Sequence, residues 1–159
     1  MTTMAASSTL EVAIALPLLV GLVMTFATIV IEAIALVGIV SFIRHHHRLG
    51  RTGVWFWQDV TIVSSAIVLA GAAHLVEIFI WAVVFVLCGQ FGQLSAAFYS
   101  SAMLYTTLGT GEVAMSPSWK LLGPFETADG MLAFGVSTAI VISVGQIIVR
   151  KKFSDLPNF

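Results

Sequence analysis

The chain is poor in charge. Only 9% of its 159 residues are Asp, Glu, Lys or Arg, against roughly 25% in an ordinary soluble domain. Seven basic and eight acidic residues give a formal charge of -1, which leaves no basic face for nucleic acid. With 58% hydrophobic residues and a mean hydropathy of +1.02, too little polar surface remains to coat a soluble globule. The lone Cys88 permits no intrachain disulfide, and it reads as a small apolar residue at a helix end. No nucleophile–base set and no complete metal site stands out, so the chain is expected to be no enzyme and to hold no cofactor. No stretch alternates like the strands of an outer-membrane barrel. Met1–Leu10 contains no Lys or Arg, so the first apolar run is a retained helix rather than a signal peptide. What is left is an integral membrane protein made of helices.

The few charges locate the spans. None occurs between Glu11 and Glu32, and the apolar pattern continues to Ile43. A second run extends from about Val60 to Cys88, interrupted by His74 and Glu77, and a third from Met131 to Val149. Each exceeds or approaches the roughly 20 apolar residues that cross a bilayer. Pro17 suits the start of the first helix or a kink in it. Arg44, Arg48 and Arg51 follow the first span, and Arg150, Lys151 and Lys152 follow the last. The positive-inside rule puts both clusters on the cytoplasmic side of a cytoplasmic membrane, with the amino terminus outside and the carboxyl terminus inside. Tyr105 apart, the aromatic anchors agree: Trp55 and Trp57 at the inner interface, Trp119 at the outer one.

Between Gly89 and Gly123 the chain does not span. Residues 94–106 (LSAAFYSSAMLYT) are apolar and helix-compatible, but 13 residues fall in the range of re-entrant segments. Thr106-Thr107-Leu108-Gly109-Thr110-Gly111-Glu112 follows. Irregular backbone at that depth must be buried in protein or line a wet cavity, and its carbonyls can take cations as partners. Successive carbonyls turn to one axis only if the backbone alternates hand, which glycine does at little cost. Gly109 and Gly111, alternating with Leu108 and Thr110, fit that need. Thr107 can add a hydroxyl ligand, Glu112 puts a carboxylate at the outer mouth, and the short helix aims its partly negative C-terminus at the same space.

These residues resemble the pore loop of the potassium-channel superfamily, whose signature is T-V-G-Y-G after a pore helix. Small bacterial pore-loop channels are especially similar, with T-T-L-G-Y-G-D, then Pro, Trp and L-L-G. Here those are Thr106 to Glu112, Pro117, Trp119 and Leu121-Leu122-Gly123, while Phe98-Tyr99-Ser100-Ser101 resembles the aromatic-rich pore helix. The resemblance covers residues 90 to 150. It implies an all-α membrane protein of three transmembrane helices plus a re-entrant pore helix and selectivity filter, assembled as a tetrameric channel. An extra N-terminal helix and cytoplasmic loop would occupy residues 1–53 and the pore module 54–159. Within that module the outer helix would lie at about 57–88, the pore helix at about 93–106, the filter at 107–111 and the inner helix at about 125–150. Potassium would bind at Thr107, Leu108, Gly109 and Thr110. The implied partners are three further copies of the chain and membrane lipid. Thr110 stands where the family has Tyr or Phe, and Glu112 where it has Asp. Related channels lacking that aromatic include non-selective ones, so potassium and non-selective monovalent conduction both stand as readings, sodium included. From a different class comes a non-conducting membrane scaffold or accessory subunit, whose re-entrant loop is purely structural.

Further residues invite roles. The family bends its inner helix at a glycine about this far past the filter, which makes Gly135 the candidate hinge, though Gly130, Gly135 and Gly145 also suit close helix packing. Thr138 and Ile142 are placed to line a cavity below the filter. Glu126 and Asp129 complement the dipole of the last helix and, with Glu112, would concentrate cations outside. Glu32, His74 and Glu77 are titratable groups inside spans, where such groups mark function by default. His74 and Glu77, at i and i+3, form either a proton-sensitive pair or interhelical hydrogen bonds, with Glu32 a further partner. His45-His46-His47, between arginines, reads as a solvated, lipid-facing basic turn, with a pH or metal sensor as the alternative. No arginine series of a voltage sensor is present, and no dedicated ligand-binding domain is expected.

Overall fold

A computed structural model describes residues 2–49, 55–109 and 115–152, with side chains from Ile14 onward apart from His47 and Lys151. It is all-helical, in the order α1 (Thr2–Arg48), α2 (Phe56–Leu87), α3 (Leu94–Tyr105) and α4 (Leu122–Lys152). Among the described residues, three segments are long and apolar enough to cross a membrane: Ile14–His46, Phe56–Leu87 and Leu122–Arg150. At 12 residues, α3 is not. The number of spans agrees with the charge map, and the third begins at Leu122, ahead of the uncharged run from Met131. The helix of the first span starts earlier than the apolar pattern does, at Thr2, and Pro17 lies inside it.

The chain divides into two compact units, Met1–Val30 with Val76–Leu132, and Ile31–Leu75 with Ala133–Phe159. The first holds α3. Its core joins Met24 of α1, Trp81, Ala82 and Phe85 of α2, Phe91 of the following turn, Ala97 and Leu104 of α3, and Leu122 of α4. Rings supply much of the volume: Trp81 and Phe85 lie 5.9 Å apart between centroids, Phe85 and Phe91 6.1 Å. The second unit packs Ile39 and Ile43 of α1 with Ile62, Ala66 and Ala70 of α2 and Val144 of α4. Small residues on α2 let its neighbours approach closely, as small residues do in membrane helices.

Large apolar side chains point outward along the spans, Phe26, Ile34, Val68 and Met131 among them. In water such a surface would aggregate; in a bilayer it is the solvated one. Trp55 and Trp57, at the start of α2, are also exposed.

Local chemistry sets the helix ends. α2 stops at Gly89, whose φ of 69° is left-handed. Gln90 N–H donates to the Phe85 carbonyl and Gly89 N–H to that of Val86, both at 2.9 Å. This is a Schellman cap with glycine at its left-handed position. Cys88, half-buried beside it, is a free cysteine, and burial pushes its thiol up, so it stays protonated near neutrality. Ser116 to Trp119 makes a turn closed by Trp119 N–H on the Ser116 carbonyl at 3.0 Å, with Pro117 at the position where its fixed φ is pre-set. α4 follows, with Pro124 in its first turn where a missing N–H costs nothing.

Candidate functional site

The end of α3 is the first part of the site. Thr107 N–H donates to the Leu104 carbonyl at 3.0 Å and Leu108 N–H to that of Met103 at 2.8 Å. Gly109 N–H reaches the same Met103 carbonyl at 3.2 Å, and the Thr106 hydroxyl folds back onto the Ala102 carbonyl at 2.6 Å. α3 thus ends in the same Schellman cap as α2. Here the left-handed position is held by Thr107, with φ of 62°, a genuine outlier for a β-branched residue. Gly109 follows with φ of 111°. Left-handed backbone therefore occurs at Thr107, where it was not expected, and at Gly109, where it was, with Leu108 between them. Residues 106 to 109 are exposed, Leu108 at 73%. Thr110, Gly111 and Glu112, the rest of the expected filter and its outer mouth, lie outside the described residues.

Beyond the gap, the returning chain is tied to the turn before α3. Gln90 Oε1 accepts from Ser116 N–H at 2.9 Å and from the Ser116 hydroxyl at 2.8 Å, while its own amide donates to the Cys88 carbonyl at 2.8 Å. One glutamine side chain thereby fixes both ends of the re-entrant segment. No feature of the sequence around Gln90 signals that role.

Behind α3 lies a row of buried acids. Tyr105, fully buried, donates its hydroxyl to Glu77 Oε2 of α2. Ser101 donates to Glu126 Oε1 of α4 and also lies 2.8 Å from the Ile78 carbonyl of α2. Asp129 Oδ2 accepts from Trp81 Nε1 at 3.0 Å and from the Thr28 hydroxyl of α1 at 2.5 Å. Thr127 caps the Leu104 carbonyl from α4 at 3.1 Å. Glu126 and Asp129 are buried, at 0% and 3% exposure, so they do not face an outer vestibule as expected for cation concentration. Buried carboxylates need donors, and the hydroxyls of Thr28, Ser101 and Tyr105 with the indole of Trp81 supply them to one oxygen of each acid. The sequence does carry a signal for this: acids inside apolar runs require polar partners, and Ser101, Tyr105 and Trp81 are such groups.

Gly130 completes the contact. A Cβ added there would lie 2.2 Å from the carbonyl oxygen of Tyr105, so α4 can touch the last turn of α3 only with glycine at this position. Of the two roles considered for these glycines, close packing fits Gly130. Gly135 lies within the continuous helix α4 and is exposed, and a Cβ added to it would meet nothing within 4 Å. Thr138 and Ile142 are also exposed.

In the second unit, Glu32 accepts from the Ser137 hydroxyl at 2.6 Å and lies 4.0 Å from His74 Nδ1. The His74 ring packs tilted against that of Phe134, centroids 4.5 Å apart and planes at 45°. In the first unit, Glu77 accepts from the Tyr105 hydroxyl. The expected basic turn at His45-His46-His47 is instead helical, since α1 continues to Arg48. His46 supports that last turn: its Nδ1–H donates to the Phe42 carbonyl at 3.0 Å, and its ring lies 4.3 Å from that of Phe42.

Residues 73–146 match a family model described as an ion channel. The matched segment takes in α3, the backbone after it and the parts of α2 and α4 that hold them. The match supports an ion channel of the pore-loop type in a membrane protein. No curated protein and no solved structure matches the chain.

Proposed function

We propose that the chain is one subunit of a homotetrameric cation channel that conducts potassium through a filter at Thr107, Leu108, Gly109, Thr110 and Gly111. The observation that carries this reading is the left-handed backbone at Thr107 and Gly109, exposed at the end of a helix too short to span. Alternating hand is what lets consecutive carbonyls serve one axis, where they replace an ion's hydration shell. One chain supplies one such segment, and surrounding an ion requires several, so the chain is read as acting with three copies of itself. Glu112 would stand at the outer mouth, Thr138 and Ile142 would line the cavity below, and Gly135 would be the hinge of α4. No cofactor beyond the permeant ion is needed, and the channel makes and breaks no covalent bond. By the positive-inside rule, the basic clusters at the ends of α1 and α4 support a cytoplasmic position for both ends.

Non-selective monovalent conduction is the second reading, and Thr110 favours it, because a threonine offers no ring to pack behind the filter. Reversal potentials of the reconstituted protein in opposed potassium and sodium separate the two. A shift towards the potassium equilibrium potential is expected. A potential near zero with robust current leaves non-selective conduction. Absence of cation current in any mixture removes the channel reading and leaves the structural scaffold. Gly109→Ala should abolish current, because alanine resists the φ of 111° found there. A scaffold would tolerate that change.

A further inference from the structure

A filter built from backbone holds its width only if something fixes the backbone. The cap hydrogen bonds of Thr107, Leu108 and Gly109 all end on carbonyls of α3, so the position of this segment follows the last turn of that helix. Within that turn, Tyr105 is gripped from two helices at once. Its hydroxyl donates to Glu77 Oε2 on α2. Its carbonyl oxygen lies against the backbone of α4, so close that a Cβ at Gly130 would come within 2.2 Å of it and within 3.0 Å of the ring. The side chain is fully buried, which leaves the ring no room to swing, and two residues further on the left-handed backbone begins. Thr110 carries no aromatic ring.

We propose that Tyr105 is the residue that sets the width of the filter, acting as a positioning residue held by Glu77 and seated on Gly130. This deepens the channel reading and rests on it. Tyr105 touches no ion; it acts through the backbone of Thr106 and Thr107. The interaction with Glu77 is a hydrogen bond from a phenol to an acceptor oxygen. It therefore requires an acceptor of the right size at position 77 and requires no charge there.

Four proteins test this by bi-ionic reversal potentials for potassium, sodium, rubidium and caesium: wild type, Y105F, E77L and E77Q. Y105F removes the donor and leaves the ring. E77L removes the acceptor, so a folded sample of either variant breaks the bond. E77Q keeps an acceptor oxygen in the same place. The wild type is expected to discriminate potassium from sodium. Y105F and E77L should lower that permeability ratio by about fivefold, the scale of one lost buried hydrogen bond, while still forming oligomers and carrying current. E77Q should keep the wild-type ratio. A role confined to stability would reduce the amount of assembled protein and leave the ratio unchanged, which overturns the proposal. A shift in E77Q as large as in E77L overturns it as well, since charge and not the hydrogen bond would then be at work. A wild type that conducts without discriminating overturns the brace and leaves the channel. A wild type without cation current removes the channel reading itself.

Discussion

Thr107 and Gly89 occupy the same position in two copies of one capping motif. Glycine enters left-handed backbone freely, whereas an L-residue with a Cβ bears roughly 1–2 kcal/mol there. A β-branched residue in that position is retained against its own conformational preference, as happens where a site requires the side chain. Thr107→Gly should therefore raise the thermal midpoint of the detergent-solubilised protein, by about 1 kcal/mol of stability. T107A, which keeps a Cβ, should gain much less. Both are read by circular dichroism melts, and an unchanged T107G melt would mean that the backbone at 107 is unstrained. Since T107G also deletes the hydroxyl expected at the inner end of the filter, its conduction should be altered in the same protein. Residue types in this segment were legible from the chain itself: Gly109 and Gly111, alternating with Leu108 and Thr110, call for special backbone. The hand at Thr107 was not, because it arises from the cap of α3, whose closing carbonyls are chosen only once the helix has ended.

Among the elements, α4 puts its glycines to different uses. At Gly130 the nearest atom to an added Cβ is a backbone oxygen at 2.2 Å, which cannot swing aside, so α4 would have to move off α3. Gly130→Ala is expected to cost about 1–3 kcal/mol or more, as overpacking does, and to lower the yield of assembled protein on gel filtration. At Gly135 a Cβ meets open space. G135A should leave stability unchanged or improve it by up to about 1 kcal/mol, the helix-propensity gap between the two residues. If Gly135 is the hinge, G135A also lowers the open probability of single channels while the melt holds. Spacing alone left packing and bending as rival uses of these glycines, since both need a missing side chain. What separates them is the distance to a neighbour, which belongs to the packing of α3 on α4. Burial of Glu126 and Asp129 follows the same logic. Their position early in α4 suggested a role in the outer vestibule, and the hydroxyls and indole that turn towards them make the interior tolerable for acids.

At the level of the whole molecule, the outward apolar side chains define a protein whose solvent is lipid, with two separate apolar cores inside it. The proposed assembly predicts a purified species in mild detergent at four times the 17.0 kDa chain mass, measured by native mass spectrometry or light scattering. A stable monomer that still carries cation current would contradict it. The number of spans was readable from the chain, because the cost of a charge in hydrocarbon leaves long uncharged runs wherever a helix crosses. The short α3 was equally readable, because 12 residues at 1.5 Å each cannot cross a hydrocarbon core of about 30 Å. Those are one-dimensional facts, set by length and composition. Partnership is three-dimensional. That Ser137 donates to Glu32, that Tyr105 donates to Glu77, that Gln90 ties Ser116 back to the start of the re-entrant segment, and that Gly130 seats the Tyr105 carbonyl all depend on which helix faces meet. Apolar runs with no polar stripe do not encode those faces, so only the tertiary structure decided them.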